Sequence, residues 1–354
     1  MLVHKYIECL IGLNCMRAAV MYGVNDVRVE DVAVPEISED QILVRVRACG
    51  ICPVDIRVFT GENIWVTLPA VGVSGHEIAG VVERVGEKVF HLGPGDKVAG
   101  VINRSCGVCK FCISGHDNLC SNIQRYRPKY FGFGEYVAAY SERMMKFSGD
   151  ISFEEAAFTE PLAACVNGLR KCGIRPGDLV GVVGAGQIGL MHVQLAKLRG
   201  ARIVAFDLLD ERLAMAERLG ADHVVNVAEV DAAKCVEELS GGDGLDQVIT
   251  AIGGGQAIEM GLKLLGKTGT LNVFASTHPK TEIHIDPNII HYRELHITGS
   301  FSSTKQDLRT AIRLIENRQV DVKSLITHRL PLEKIVEGFN IHAGRRGLKV
   351  MITP

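Results

Sequence analysis

The sequence predicts an α/β protein in which a doubly wound parallel sheet is inserted into a mostly β domain. Three observations carry that expectation. Up to about residue 150, period-two alternation dominates, as in Gln41-Ile-Leu-Val-Arg-Val-Arg-Ala48. From about 179 to 301, short apolar runs alternate with helical patterns, the signature of a parallel sheet covered on both faces. The 354 residues suffice for two to three domains at roughly 100–200 residues each.

Taken in order, residues 1–15 read as an extension of uncertain status ahead of a second possible start at Met16. Strand patterns follow at 17–27 and 41–48, then glycine-rich strands and turns through 72–89. The segment GPGDKV at 93–98 is a turn between two more strands. A helix is expected at 153–171, where Pro161 opens or kinks a helical segment. The alternation then runs strand 179–183, helix 188–198, strand 202–206, helix 210–219, strand 223–227, helix 231–239, strand 247–251, helix 255–264, and strands 268–274 and 295–301. A helix at 305–316, a strand-turn-helix at 328–339 and a strand at 348–352 close the chain. One domain therefore comprises 16–155 and 304–354, and 156–303 is inserted into it.

Hydrophobic residues make up 47% and charged residues 23%, which excludes a chain dominated by disorder. Lysine plus arginine number 39 against 41 aspartates and glutamates, a net charge of -2. Neither nucleic acid nor an anionic membrane is indicated as a partner. No apolar run approaches the ~20 residues that cross a bilayer, and no basic run precedes a hydrophobic leader at the start. The expectation is a cytoplasmic protein whose cysteines are metal ligands or free thiols rather than disulfides. The 38 glycines suit tight turns and close backbone approach to a ligand.

Strand 179–183 runs into Gly184-Ala-Gly186-Gln187-Ile188-Gly189, a GxGxxG opening a helix. Gly184 permits the turn, Gly186 leaves room for a pyrophosphate, and Gly189 lets helix and strand approach. Phosphates favour the free amides and positive dipole end of such a helix. Asp207, 18 residues after Gly189, suits the ribose hydroxyls of NAD and repels the extra phosphate of NADP. Arg212 lies near enough in sequence to soften that preference. Cys106-x2-Cys109-x2-Cys112-x7-Cys120 has the spacing of a closed tetrahedral structural zinc site. Cys49-Gly-Ile-Cys52-Pro-Val-Asp55 and Gly72-Val-Ser-Gly-His76-Glu77 offer a thiolate, an imidazole and a carboxylate for a catalytic metal with one open position. A core cysteine and a strand-end histidine are the competing reading of that spacing.

In this order, Gly-Ile-Cys52, Gly-His76-Glu77, the four-cysteine segment and GAGQIG resemble the zinc-containing medium-chain alcohol dehydrogenase family from Met16 onward. Glu160-Pro161-Leu162 resembles an element of its sorbitol, polyol and threonine dehydrogenase branch. The resemblance implies a GroES-like catalytic domain at 16–155 and 304–354, with a structural zinc lobe at about 104–122, and an NAD-binding Rossmann domain at 156–303. It implies two Zn2+ per subunit, one structural and one catalytic. Cys52 and His76 would be catalytic ligands, Glu77 or Glu160 the third, and Asp55 a partner that fixes the site by hydrogen bonding. By its place in the chain, Lys349 resembles a residue that contacts the cofactor pyrophosphate. Phe59, Trp65, the segment 271–275 and Phe301 would line the pocket or the cofactor edge.

The implied reaction passes hydride between a secondary alcohol, a polyol above all, and NAD. L-threonine, a vicinal diol, and a cyclitol or aminocyclitol are the other substrates this branch admits. A zinc- and NAD-binding protein without turnover is the non-enzymatic alternative. Two departures bear on this. Val54 stands where the family commonly has a proton-relaying Ser or Thr, and Arg57 replaces an outer relay histidine. Neither accepts a proton at neutral pH. The resemblance further implies a homo-oligomer, a dimer or a tetramer, joined along the sheet edge at 295–301.

Overall fold

The computed structural model describes residues 15–354, so apart from Cys15 the extension expected at 1–15 lies outside the described residues. The chain divides into two compact units. The first comprises the residues up to Pro161, Thr304–Arg318 and Val322–Pro354; the second comprises Leu162–Ser303 and Gln319–Asp321. No helix among the described residues is long and apolar enough to cross a membrane.

The first unit is built on β-sheets. Its seven-stranded sheet runs Ile326–Pro331, Lys349–Thr353, Gln41–Gly50, Glu77–Val85, Lys97–Gly100, Met144–Lys146, with Tyr136–Tyr140 also paired to Gln41–Gly50. A smaller sheet joins Asp26–Ala33, Cys15–Gly23 and Ala70–Val71. The alternation that predicted strand 41–48 is visible in its burial: Arg45 and Arg47 face solvent, while Ile42, Val44 and Val46 enter the core. The helix Ile335–Ala343 closes that core with Phe339, whose ring centroid lies 5.1 Å from Phe59 and 5.8 Å from Phe133. Phe59 is therefore a core residue and not a pocket wall.

The second unit is a six-stranded parallel sheet. Its order is His223–Asn226, Arg202–Asp207, Leu179–Val183, Leu245–Thr250, Leu265–Val273, His296–Gly299. Chain order thus reverses between Leu179–Val183 and Leu245–Thr250. Such a switch point opens a crevice at the carboxyl ends of the strands, where ligands of this architecture bind. The near-continuous apolar run Leu179–Val183 is buried throughout, as expected of a strand covered on both faces.

Three local differences from the sequence reading have identifiable causes. The strand expected at 17–27 is two, Cys15–Gly23 and Asp26–Ala33, because the chain reverses at Asn25 with a left-handed φ of 58°, a conformation asparagine tolerates. The helix expected at 153–171 is also two. Ser152 and Glu155 form a capping box on Phe153–Ala157, and Pro161 sits in the first turn of Thr159–Cys172, where its missing N–H costs nothing. Cys15 is disulfide-bonded, against the expectation of free thiols, whereas Cys49, Cys52, Cys106, Cys109, Cys112, Cys120, Cys165, Cys172 and Cys235 are free.

His192, on the helix Gln187–Leu198, is fully buried edge-on against Phe274, and neither ring nitrogen has a hydrogen-bond partner among the described residues. Burial pushes its pKa down to about 3 from the ordinary 6.5. Between those values the unfolded chain binds a proton that the folded chain refuses. Stability is therefore lost as pH falls from 6.5 toward 3, by up to roughly 1.4 kcal/mol per pH unit from this group. His192→Phe should flatten that part of the profile in chemical denaturation across pH; an unchanged slope would show that the imidazole accepts a proton inside the fold.

Candidate functional site

One strand and a short helix of the first unit bring the predicted metal ligands together. Cys52 caps the helix Pro53–Phe59, and His76 and Glu77 sit at the start of Glu77–Val85. One donor atom from each of Cys52, His76 and Glu77 lies within 4.8 Å of the others, close enough to share a metal ion. Asp55, fully buried, ties the group together: it accepts from the Cys52 N–H at 2.8 Å and from Ser74 Oγ at 2.5 Å, and stands 3.7 Å from His76 Nδ1. His76 Nδ1 also lies 2.8 Å from the Ser74 carbonyl. Donation there leaves Nε2 as the free nitrogen, the usual arrangement behind a metal-bound histidine.

The electrostatics fit a cation. Burial pushes the Cys52 thiol and the Asp55 carboxyl up. Burial also opposes charge on His76, but its hydrogen bond to Cys52 and the charges of Cys52, Asp55 and Glu160 outweigh that and hold the imidazole well above its usual range. A divalent ion bound there would take the thiolate and release its proton. Glu160, in the first turn of Thr159–Cys172, is not one of the three grouped ligands. Its carboxyl is pushed up, chiefly by burial, and feels the charges of His76 and Glu77.

Two residues at this site were beyond sequence reasoning. Ser74 carries a faint signal, being a small polar residue in the same loop as His76. Lys349 carries none as a partner of Glu77, which lies 272 positions away. The structure gives it a place other than the one expected of a pyrophosphate contact: fully buried, it donates to the Ile51 carbonyl at 3.0 Å and pairs with Glu77 Oε2. Val54 and Arg57 are half-buried on the helix beside Cys52, and Arg57 Nε is buried without a hydrogen-bond partner among the described residues.

The four predicted lobe cysteines converge separately. Cys109 and Cys112 sulfurs are 3.5 Å apart and those of Cys106 and Cys112 3.9 Å. A zinc–sulfur bond of about 2.3 Å gives a tetrahedral edge of about 3.8 Å, so the spacing fits. Cys106 is pulled down to about 6, mainly by the Asn122 amide, and Cys112 is pushed up to about 12 by burial and by Cys109. Four adjoining sulfurs cannot all ionise alone; a bound cation lets them.

In the second unit the glycine turn follows Val183 at the switch point. Gly184 has a φ of 96°, and a Cβ at Gly189 would stand 1.7 Å from the Gly184 carbonyl oxygen. A Cβ at Gly186 would meet nothing within 4 Å, and no side chain caps the helix Gln187–Leu198 that begins there. Open space before uncapped amides is what a pyrophosphate requires. Gln187 Oε1 is buried without a partner among the described residues, and Ile188 is half-buried beside it. Asp207 ends the neighbouring strand and accepts from Ala185 N at 2.7 Å and Leu208 N at 2.8 Å. Arg212 is half-buried on the following helix, and Phe301 is exposed. Trp65 packs edge-on against Phe131 in the first unit.

Asp55→Asn keeps the shape of the Asp55 side chain but removes its charge. It should weaken zinc binding at Cys52 and His76 by about 10–100-fold, the scale on which partners of metal ligands act. Competition with a chromophoric chelator measures this, with Cys52→Ser isolating the four-cysteine site; unchanged affinity would confine Asp55 to a folding role.

Comparison with known proteins agrees with this architecture. Residues 38–149 match the alcohol dehydrogenase GroES-like domain and 188–317 match the zinc-binding dehydrogenase family. The chain is 31% identical over 340 residues to a sorbitol dehydrogenase of Halalkalibacterium halodurans, covering 94% of this chain and 97% of that protein. It is 33% identical over 327 residues to a D-arabitol-phosphate dehydrogenase of Enterococcus avium, covering 91% and 92%. Galactitol-1-phosphate dehydrogenase from Escherichia coli superposes with a TM-score of 0.87 at 27% identity, covering 96% of this chain and 100% of that one. With a GroES-like β unit, a Rossmann-type parallel sheet and two candidate metal clusters, the chain belongs to the zinc-binding medium-chain dehydrogenase family.

Proposed function

We propose that this protein oxidises a secondary alcohol, with a polyol as its substrate, to the ketone at the expense of NAD. The convergence of Cys52, His76 and Glu77, with Asp55 locked behind them, is the observation that carries this reading. These residues hold a catalytic zinc, and Cys106, Cys109, Cys112 and Cys120 hold a second, structural one. A zinc ion held there would supply Lewis acidity toward an alcohol oxygen, and bound NAD would supply the hydride acceptor. Cys52 and His76 fix the ion, Glu77 lies within ligand reach, and Asp55 sets the orientation of both the Cys52 backbone and the His76 ring. Glu160, its carboxyl raised by burial, takes the proton that Val54 cannot pass on.

The cofactor is held by Gly184, Gly186, Gln187, Ile188 and Gly189, with Asp207 on the adenosine ribose. Both Asp207 oxygens accept from backbone amides of the turn and retain lone pairs for ribose hydroxyls, which favours NAD over NADP. Arg212 and Phe301 border this site. The exposed sheet-edge strand His296–Gly299, with Ile297 open to solvent beside Tyr292 of the preceding helix, pairs with a second copy, giving a dimer or tetramer.

The support for a polyol is the branch of relatives, named for sorbitol and for sugar-alcohol phosphates. NADH absorbance followed against sorbitol, xylitol, D-arabitol phosphate, myo-inositol, 2,3-butanediol and L-threonine tests it, with zinc-loaded and chelated enzyme side by side. Turnover on a polyol that chelation abolishes is the expected result; exclusive turnover on L-threonine would overturn the substrate class, and zinc-independent turnover the mechanism. Asp207→Asn should raise the KM for NAD about tenfold, the worth of a hydrogen bond to a charged group, and narrow the gap to NADP. An unaltered NAD to NADP ratio would remove Asp207 from the ribose site.

A further inference from the structure

Lys349 is among the largest fully buried side chains of the molecule, and it carries a charge. A lysine is rarely buried unless paired, and its partner is the carboxylate of Glu77, 1% exposed. Three strands build this contact. Gly50 on Gln41–Gly50 pairs with Glu77 on one side and with Met351 on the other, two positions from Lys349. A Cβ at Gly50 would stand 2.3 Å from Glu77 Oε2 and 2.6 Å from Lys349 Cε. Only glycine leaves room for the pair. The lysine nitrogen also donates to the Ile51 carbonyl at 3.0 Å and lies 5.7 Å from the Phe158 ring centroid, so its position is fixed from several sides.

The consequence lies with charge. A thiolate and a carboxylate on the same divalent ion cancel its charge and with it much of its pull on a substrate oxygen. We propose that Lys349 is a positioning residue of the metal centre: by holding Oε2 of Glu77 and offsetting its charge, it limits the hold of Glu77 on the ion at Cys52 and His76. The inference rests on the reading of Cys52, His76 and Glu77 as a metal site. Lys349 thus lowers the site's affinity for the ion while preserving the ion's electrophilicity, and Gly50 is the space that allows it.

Cobalt(II) in place of zinc gives a readout that needs no turnover. Its visible bands report coordination number, and Cys52→Ser serves as the blank that subtracts the four-cysteine site. Lys349→Met removes the charge and the donor; Lys349→Gln removes the charge and keeps a donor. Both should bind cobalt at least about tenfold more tightly than the parent, the scale of effects from partners of metal ligands. Their visible bands should weaken as Glu77 closes on the ion. In a Glu77→Gln background the same replacements should change neither affinity nor spectrum. Parental affinity and spectrum in Lys349→Gln would overturn the proposal, as would an equal effect when Glu77 is already glutamine. If both single variants fail to fold while Lys349→Met/Glu77→Gln folds, the lysine serves folding alone and the proposal fails. Cobalt bound through Cys52 without turnover on any alcohol would refute the proposed activity only, whereas no Cys52-dependent cobalt would refute the metal reading itself.

Discussion

A carboxylate taken out of water costs several kcal/mol unless charges or hydrogen bonds meet it, and the β-rich unit buries Asp55 and Glu77 side by side. Much of the local design answers that cost. Asp55 is met by the Cys52 amide and the Ser74 hydroxyl, with His76 at 3.7 Å; Glu77 is met by Lys349. The compensating groups come from three segments, at 52, 74–76 and 349, so the strands carrying Gly50, Glu77 and Lys349 are held in register by the same contacts that solvate the charges. A polar cluster of this kind is worth its full value only when every member is present. Removing one partner leaves a buried charge exposed to low dielectric, which is more damaging than never having built the pair.

The two candidate ligand sites of the chain are built from opposite materials. The candidate metal centre is made of side chains converging from 52, 76 and 77, supported by 55, 74 and 349. The dinucleotide turn is made largely of missing side chains: at Gly184 and Gly189 a Cβ would strike Ile252 and the Gly184 carbonyl, and at Gly186 the space stays open. Metal ligation demands donors of set chemistry at set distances. Phosphate recognition by a helix N-terminus demands only backbone amides and clearance.

That contrast explains what was legible beforehand. The glycine turn and the four-cysteine lobe are local, so their spacing along the chain is their geometry in space. The strand-helix alternation of 179–301 is likewise local, and the sheet order follows from connection rules. Cys52 and His76 are separated in sequence; their residue types offered a metal set beside a core reading, and resemblance to a family decided between the two. Lys349 was legible as a residue but not as a partner, since no short-range pattern ties it to Glu77. Phe59 looked like a pocket wall because an aromatic near a ligand motif invites that reading; its place in the core depends on Phe339, far along the chain. Pro161 signalled that a helical segment opens or kinks within 153–171, but the alanines on either side favour helix and hide that the first helix ends at Ala157.

The absence of a hydroxyl at Val54 shifts weight from relay to electrostatics. A proton leaving an alcohol needs an acceptor whose pKa is near the working pH, because a weak base has too little affinity and a strong one is already occupied. Arg57 is permanently charged and fails on the second count, and an ordinary solvated carboxylate fails on the first. Burial and the nearby carboxylate of Glu77 raise the pKa of Glu160, while His76 and Lys349 restrain the rise. Lys349 acts on both acids: it neutralises Glu77 directly and limits how far Glu160 climbs. On the proposed reading, the acid-base group and the metal ligand are therefore tuned by one buried cation, the Lys349 ammonium, and not by a serine relay.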